Sequence, residues 1–496
     1  KAGSAQDEGF CWQSKGDGQY TIEPISKETV GTDVILHLKK DEYSFLDSLK
    51  IRNLVKTYSD HIAFEILMQK EPEAAQDDKE DKKEKAQETV EYEAINKAKA
   101  LWLRAKSELK DEDYESFYRE VAHHDFEAPL TWSHNKVEGK LDYTSLFYIP
   151  KNAPFDLWDP QRKSGIKLFV QRVFIMENAD ILPSYLRFIR GVVDSNDLPL
   201  NVSREILQHN HVLEKIKSGS VKKILTLLGK MAKNKPEQYQ DFWKAFGAVL
   251  KEGPGEDNNN KDAIVPLLRF ATTHEDTQTQ NVSLEDYVAR MKEGQEHIYY
   301  VTAENYQAAK NNPQLEVFAK KGIEVILLSD RVDEWLVAHV TEFDGKKLQS
   351  VAMGDLSDIK ATEEEKAEQE KTAKDFEAII KQMKETLGEK VQEVRLSQRL
   401  TDSPSCVVAP EGMSMHLQRL MASSGQQMPA QAPVLEINAD HPLVKQLKNQ
   451  QDDALFSQWS EVLFEQAMLV EAGQLEDPAS FVKKLNQLLS PFGLDK

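Results

Sequence analysis

Apolar positions recur at two spacings along this chain: every second residue in short runs, and every third or fourth in longer ones. These are the periods of strand and helix. Val34-Ile35-Leu36-His37-Leu38, behind the turn signal Val30-Gly31-Thr32, predicts a strand. Residues 10–70 as a whole read as strands, a helix and a further strand. Leu49, Leu54, Val55, Tyr58 and Ile62 share one helical face within residues 46–62, and Ile66-Leu67-Met68 follows as a short strand. Strand-like alternation returns at 141–149 and at 166–175 (IKLFVQRVFI), and helical spacing at 206–228 and 239–250. The apolar run within 322–328 predicts a buried strand. Phe376, Ile379, Ile380, Met383 and Leu387 predict an amphipathic helix ended by Gly388, with a charged, small-residue stretch at 357–374 before it.

The last predicted elements are two helices. The first, at 455–472, carries Phe456, Trp459, Val462, Leu463, Ala467, Leu469 and Val470 on more than one face and stops at Gly473. Asp477-Pro478 then supplies an N-cap and an N1 proline for a helix bearing Phe481, Leu485, Leu488 and Leu489. Such a hairpin has more apolar face than it buries alone. Either two copies close a four-helix bundle around a two-fold axis, or the hairpin packs back on its own domain.

Composition divides this pattern into blocks. Nearly every residue from 70 to 88 is charged, Ala or Gln, which reads as a linker or as a solvated helix of Glu/Lys pairs. The remainder alternates helices with short strands, so the predicted fold class is a multidomain mixed α/β and α+β chain. Its expected blocks are 1–69, the linker 70–89, 90–345 and 350–496. At 496 residues the chain is too long for one core and suits about three domains.

The net charge of −20 makes the chain a poor general binder of nucleic acid phosphates. No apolar run reaches the roughly 20 residues of a membrane-spanning helix, and the first residues show no apolar signal-peptide core. Cys11 and Cys406 stand in unrelated contexts without a CxxC, which fits a reducing, cytoplasmic setting.

Generic catalytic signatures are missing. Gly229-Lys230 is followed by Met231 and lacks the upstream glycine of a P-loop, and neither HExxH nor GxSxG occurs. His123-His124 and the His209/His211 pair have spacings that do not converge on a metal. One stretch stands out: residues 194–208 run from a strand end through a proline loop into a helix that Asn201 or Ser203 can cap. Arg204 then falls in its first turn with Gln208 one turn on. It either helps seat an anion such as phosphate or pairs with a carboxylate such as Glu205. Met413, Leu417, Leu420 and Met421 form an apolar helix face between flexible flanks. That helix is an exposed hydrophobic site or is docked into its own domain.

Several of these segments carry a family resemblance. Leu198-Pro-Leu-Asn-Val-Ser-Arg-Glu205, Trp102-Leu-Arg, Tyr58-Ser-Asp-His-Ile62, Val137-Glu-Gly139 and Met291-Lys-Glu-Gly-Gln-Glu296 resemble the heat shock protein 90 chaperone family, its bacterial branch most of all. The resemblance runs in order over essentially the whole chain. It implies that 1–69 correspond to the last part of an N-terminal α/β sandwich and 70–89 to an inter-domain linker. Residues 90–345 then match an α/β middle domain with two subdomains, and 350–496 an α+β C-terminal domain ending in a helical dimerisation hairpin.

The resemblance also implies roles. Arg204 matches the middle-domain arginine that reaches the γ-phosphate of ATP, with Asn201 and Gln208 beside it, and Thr32 matches a threonine near the adenine. Trp335 matches a client-contacting position, and Met413, Leu417, Leu420 and Met421 fall on a client-binding helix. Trp459, Leu463, Phe481, Leu485 and Leu488 fall at the dimer interface. The family's Asn-bearing helix, Asp-x-Gly-x-Gly-type loop, glycine-rich lid and catalytic glutamate have no counterpart here. ATP with Mg is therefore expected for the full-length family and not for this chain alone, whose ATPase is expected to be inactive. The end, Phe492-Gly-Leu-Asp-Lys496, is not the Met-Glu-Glu-Val-Asp that docks co-chaperones in eukaryotic members.

The expected function is that of a cytoplasmic homodimeric chaperone for unfolded or partly folded client proteins, with neither nucleic acid nor membrane as partner and no metal. The competing readings are a dimerisation scaffold without a client surface, and an enzyme in which Arg204 holds a phosphorylated substrate.

Overall fold

The computed structural model describes residues 8–70, 91–122, 125, 127–159, 164–200, 210–353, 363–409, 417–418 and 431–490. They fall into two compact units, residues 1–99 and 100–496. In the first, β1 (Gly9–Ser14) and β2 (Tyr20–Ile25) form an antiparallel hairpin turned through Gly16 and Gly18. Their φ of 80° and 84° lie where glycine is unstrained. The helix Ser48–Tyr58 starts where Asp47 accepts the backbone N–H of Leu49 at 3.0 Å. β3 (Leu67–Gln69) and β4 (Tyr92–Ala94) pair antiparallel from opposite sides of the charged run. Asn96 fastens them, accepting the N–H of Ile66 at 2.8 Å and donating to the carbonyls of Phe64 and Ser59.

One strand prediction fails here. Residues 34–38 are irregular, with Val34, Ile35 and Leu36 more than 70% exposed (78%, 78% and 75%). β-branched side chains favour a strand only when a ladder partner and a packing surface exist, and no described strand pairs with this run.

Among the described residues, the second unit holds three sheets. The first has the order β5-β6-β9-β7-β8, from β5 (Thr131–Val137), β6 (Tyr143–Ile149), β7 (Gly165–Val170), β8 (Val173–Met176) and β9 (Arg190–Ser195). Every residue of β6 is buried. Leu146 and Tyr148 pack with Trp102, Phe117 and Tyr118 on one face, while Phe147 and Ile149 face the main core on the other. The run at 166–175 is not one strand but a hairpin. Gln171 and Arg172 turn it with φ of 50° and 69°, the left-handed pair that matches strand twist.

Of the helical pattern at 206–228, residues 206–209 lie outside the described residues. The described helix is His211–Asn234, and Asn210 caps it by accepting the N–H groups of Val212 and Leu213. An asparagine side chain that bonds the next turn holds its own backbone extended, so a helix cannot run through it. The helix Pro236–Leu250 follows, with proline at its first position.

The second sheet is ordered β10-β12-β11-β14-β13, from β10 (Ala271–Thr272), β11 (His297–Thr302), β12 (Val325–Leu328), β13 (Glu342–Phe343) and β14 (Lys346–Ser350). β12 is wholly buried, as its apolar run predicts, and Gly322 (φ 61°) ends the helix before it. The third sheet, β15-β17-β16, joins β15 (Glu393–Leu396), β16 (Ser405–Val408) and β17 (Val434–Ile437). The helix Glu363–Leu387 covers it through Phe376, Ile379, Met383 and Leu387. The charged stretch before Phe376 does not merely precede this helix but belongs to it from Glu363 onward. Glu, Lys, Gln and Ala are strong helix formers, so a solvated run of them extends a helix once a packed segment nucleates it. The helices Asp453–Ala472 and Pro478–Leu489 close the chain as an antiparallel pair. Gly473 (φ 70°) and the Asp477 cap stand where the sequence places them.

Candidate functional site

Asn201, Arg204 and Gln208 lie outside the described residues, but the chain that leads to them is firmly placed. Three loops meet at the end of β9. Asp194, 4% exposed, accepts the Trp102 indole N–H at 2.8 Å and the Arg172 backbone N–H at 3.2 Å. The Ser195 carbonyl accepts the N–H of Gln171. Asp197 accepts the N–H of Asp142 at 2.6 Å, and Asn196 bonds both the carbonyl and the carboxylate of Asp142. Leu198 then plugs into the main core, and Leu200 emerges half exposed. Residues 194–198 are therefore held by hydrogen bonds and core packing at the sheet end.

Thr32 stands on an exposed, irregular segment of the first unit. An adenine needs a concave and largely apolar seat. With Val34, Ile35 and Leu36 splayed into solvent beside it, the described residues around Thr32 do not fit a nucleotide.

Trp335 is well defined. It lies on the helix Asp333–His339 with its side chain half exposed, and its ring centroid is 4.1 Å from that of His339. A cluster that the sequence did not suggest sits under this helix. Lys251, with a side chain 1% exposed, donates to Asp330 at 2.7 Å and to Asp333 at 2.8 Å. Burial pushes the Lys251 ammonium toward neutrality, but Asp333 and Asp330 outweigh it and hold its pKa above the ordinary value. Asp330 also accepts from Gln280, which in turn accepts the indole N–H of Trp243. Only the i, i+3 spacing of Asp330 and Asp333 hints at this in the sequence, and nothing marks Lys251 as their partner.

Of the amphipathic helix, Met413, Leu420 and Met421 lie outside the described residues. Leu417 is helical and half-buried. In the terminal hairpin, Leu463 and Leu488 are buried within the chain, while Trp459, Phe481 and Leu485 are half-buried. Leu455, Leu469, Val470, Val482 and Leu489 are the large exposed apolar residues of the pair. Lys484 clips the two helices together, 2.7 Å from Glu461 and 2.6 Å from Glu465.

A second polar cluster outside the sequence reading lies where residues 312–318 meet the third sheet. The Glu316 carboxylate accepts the backbone N–H groups of Thr401 (2.6 Å), Asp402 (2.7 Å) and Ser403 (3.1 Å). Burial alone raises the Glu316 pKa, but the bonds from Ser403, Asp402 and Thr401 prevail and hold it low. Arg399, buried, reaches the carbonyl of Val351 at 2.5 Å and the Glu436 carboxylate at 3.0 Å. Among the described residues no cluster of His, Cys, Asp and Glu can hold a metal ion, and no helix is long and apolar enough to cross a membrane.

Comparison with known proteins agrees with this architecture. The family model described as "Hsp90 protein" matches residues 68–494. The protein named "Chaperone protein HtpG" from Coxiella burnetii is 56% identical over 493 residues, covering 99% of this chain and 77% of the relative. Its namesakes from Nitrosococcus oceani and Colwellia psychrerythraea are 54% and 52% identical, again over 99% of this chain and 76% and 77% of their own lengths. The chain belongs to the Hsp90 protein family and is a molecular chaperone.

Proposed function

We propose that this chaperone holds unfolded or partly folded clients on apolar surface of the second unit and works as a cytoplasmic homodimer. The observation that carries the reading is Trp335, a large aromatic side chain left 49% exposed between the buried Glu334 and Leu336. Indole rings anchor binding surfaces because they cover much area at little conformational cost. Leu417 with Met413, Leu420 and Met421 forms the second client contact, methionine suiting a surface that must accept many sequences. The terminal hairpin joins two copies, so that two weak sites act at high effective concentration. The domain assignment is 1–69, 70–89, 90–345 and 350–496. Arg204, with Asn201 and Gln208, serves the ATP cycle of the full-length family. Because the residues around Thr32 do not fit a nucleotide, no step of that cycle is assigned to this chain alone.

The test is suppression of aggregation of a thermally unfolding enzyme. Trp335→Ser, and separately Leu417→Ser with Met421→Ser, are expected to weaken suppression while far-UV dichroism stays unchanged. Full suppression by both variants refutes the client surface and favours a scaffold that only dimerises.

A further inference from the structure

The helix Asp333–His339 has seven residues, too few to persist in water by itself. Its place is imposed from outside, and both ends are held by lysines from a separate part of the chain. At the N-terminal end the buried Lys251 donates to Asp333 and Asp330, while Asp333 accepts the N–H of Asp330 at 2.8 Å. These bonds enclose the first turn. At the C-terminal end Lys261 donates to the carbonyl of His339 at 2.6 Å, satisfying an acceptor that the helix leaves open. Between the ends Leu336 is buried in the main core, and Val340 just beyond the helix joins it there.

The indole itself has a floor. Gly255 lies so close beneath Trp335 that a Cβ at that position would overlap the indole ring. His339 flanks the ring and bonds the Trp335 carbonyl through Nδ1 at 2.8 Å. A buried ammonium between two carboxylates is a poor way to gain net stability, because desolvation offsets most of the attraction. What such a cluster supplies is geometry, since its bonds are satisfied in one arrangement only.

We propose that Lys251, Lys261 and Gly255 are positioning residues for Trp335, fixing its helix at both ends and from beneath so that the indole meets a hydrophobic client segment in a single orientation. The inference rests on the reading of Trp335 as a client contact. An aromatic group held in place loses little further freedom on binding, which strengthens its contact with a client.

The experiment uses the full chain with 5-fluorotryptophan at its seven tryptophans, and reduced, carboxymethylated α-lactalbumin as a permanently unfolded probe. Trp335→Phe assigns the Trp335 fluorine resonance. Lys261→Met and Gly255→Ala are expected to shift that resonance and leave the other six in place. Each should weaken probe binding about threefold to tenfold, as Trp335→Phe does. Adding either to Trp335→Phe should cost nothing further. Lys251→Met is expected to act more strongly, but it strands two carboxylates and can unfold the unit; the two half-buried positions keep the test decisive. The proposal is overturned if the Trp335 resonance stays put in Lys261→Met and Gly255→Ala. It is also overturned if those changes weaken binding equally with and without the indole. A Trp335→Phe chain that binds the probe as tightly as the parent refutes the client reading instead, and the resonance shifts still decide whether the three residues set the indole.

Discussion

The indole N–H of Trp102 donates to the buried carboxylate of Asp194 at 2.8 Å, across 92 residues of sequence. The bond ties the segment before the first sheet to the strand end from which the loop toward Arg204 departs. Trp102 also packs at a tilt against Phe169 and Phe117, at centroid distances of 4.8 and 5.5 Å, so its ring cannot swing away to leave the carboxylate hydrated.

Trp102→Phe keeps an aromatic ring but removes the donor and some volume. A buried charged acceptor deprived of a partner, with a small cavity beside it, predicts a loss of roughly 2–4 kcal/mol. Chemical denaturation of the two chains measures it. A change under about 0.5 kcal/mol would show that Asp194 finds another donor, and that the strand end does not depend on Trp102.

Glu316 predicts a pH effect of definite sign. Its pKa lies below 4.5 in the folded chain, so its contribution is complete above the unfolded value. That contribution is lost as pH falls through the lowered folded value. Glu316→Gln removes the charge that three backbone N–H groups address and should cost about 1–3 kcal/mol near pH 7. The gap between the melting curves of parent and variant is expected to shrink from pH 7 toward pH 3. A gap that is constant with pH would mean that the docked loop does not sense the Glu316 charge.

If the terminal hairpin joins two copies as proposed, adjacent residues separate fold from assembly. Leu488 is 3% exposed and Leu489 is 51% exposed. Leu488→Ala should lower stability by about 2–5 kcal/mol through the cavity it leaves. Leu489→Asp, with Val482→Asp, should leave the secondary structure intact and raise the dimer dissociation constant at least about tenfold, by burying charge in the bundle. Sedimentation velocity over a concentration series reads the second effect. Unchanged dimerisation would move the interface off this face of the hairpin.

The elements that were legible before any coordinates are those whose ends are set by local chemistry. Gly388 and Gly473 stop helices because the left-handed backbone they adopt costs them little, and Asp477-Pro478 starts one because the cap and the missing N–H suit a first turn. The alternation at 141–149 announced the strand β6, and the continuous apolar run of β12 announced a buried one. The misses share a cause. Residues 34–38 have strand propensity without a partner, Asn210 interrupts a pattern that apolar spacing alone reads through, and Gln171-Arg172 turn a run that alternates like one strand.

By itself, the sequence determined the family, the blocks of apolar and charged residues, and the caps and breaks that depend on one or two neighbouring side chains. The tertiary structure decided which charges meet. Lys251 finds Asp330 and Asp333 about eighty positions away, Glu316 finds the backbone of residues 401–403, and Trp102 finds Asp194. No periodicity encodes such pairs, because each depends on where separate elements pack and on the cost of leaving a buried polar group without a partner.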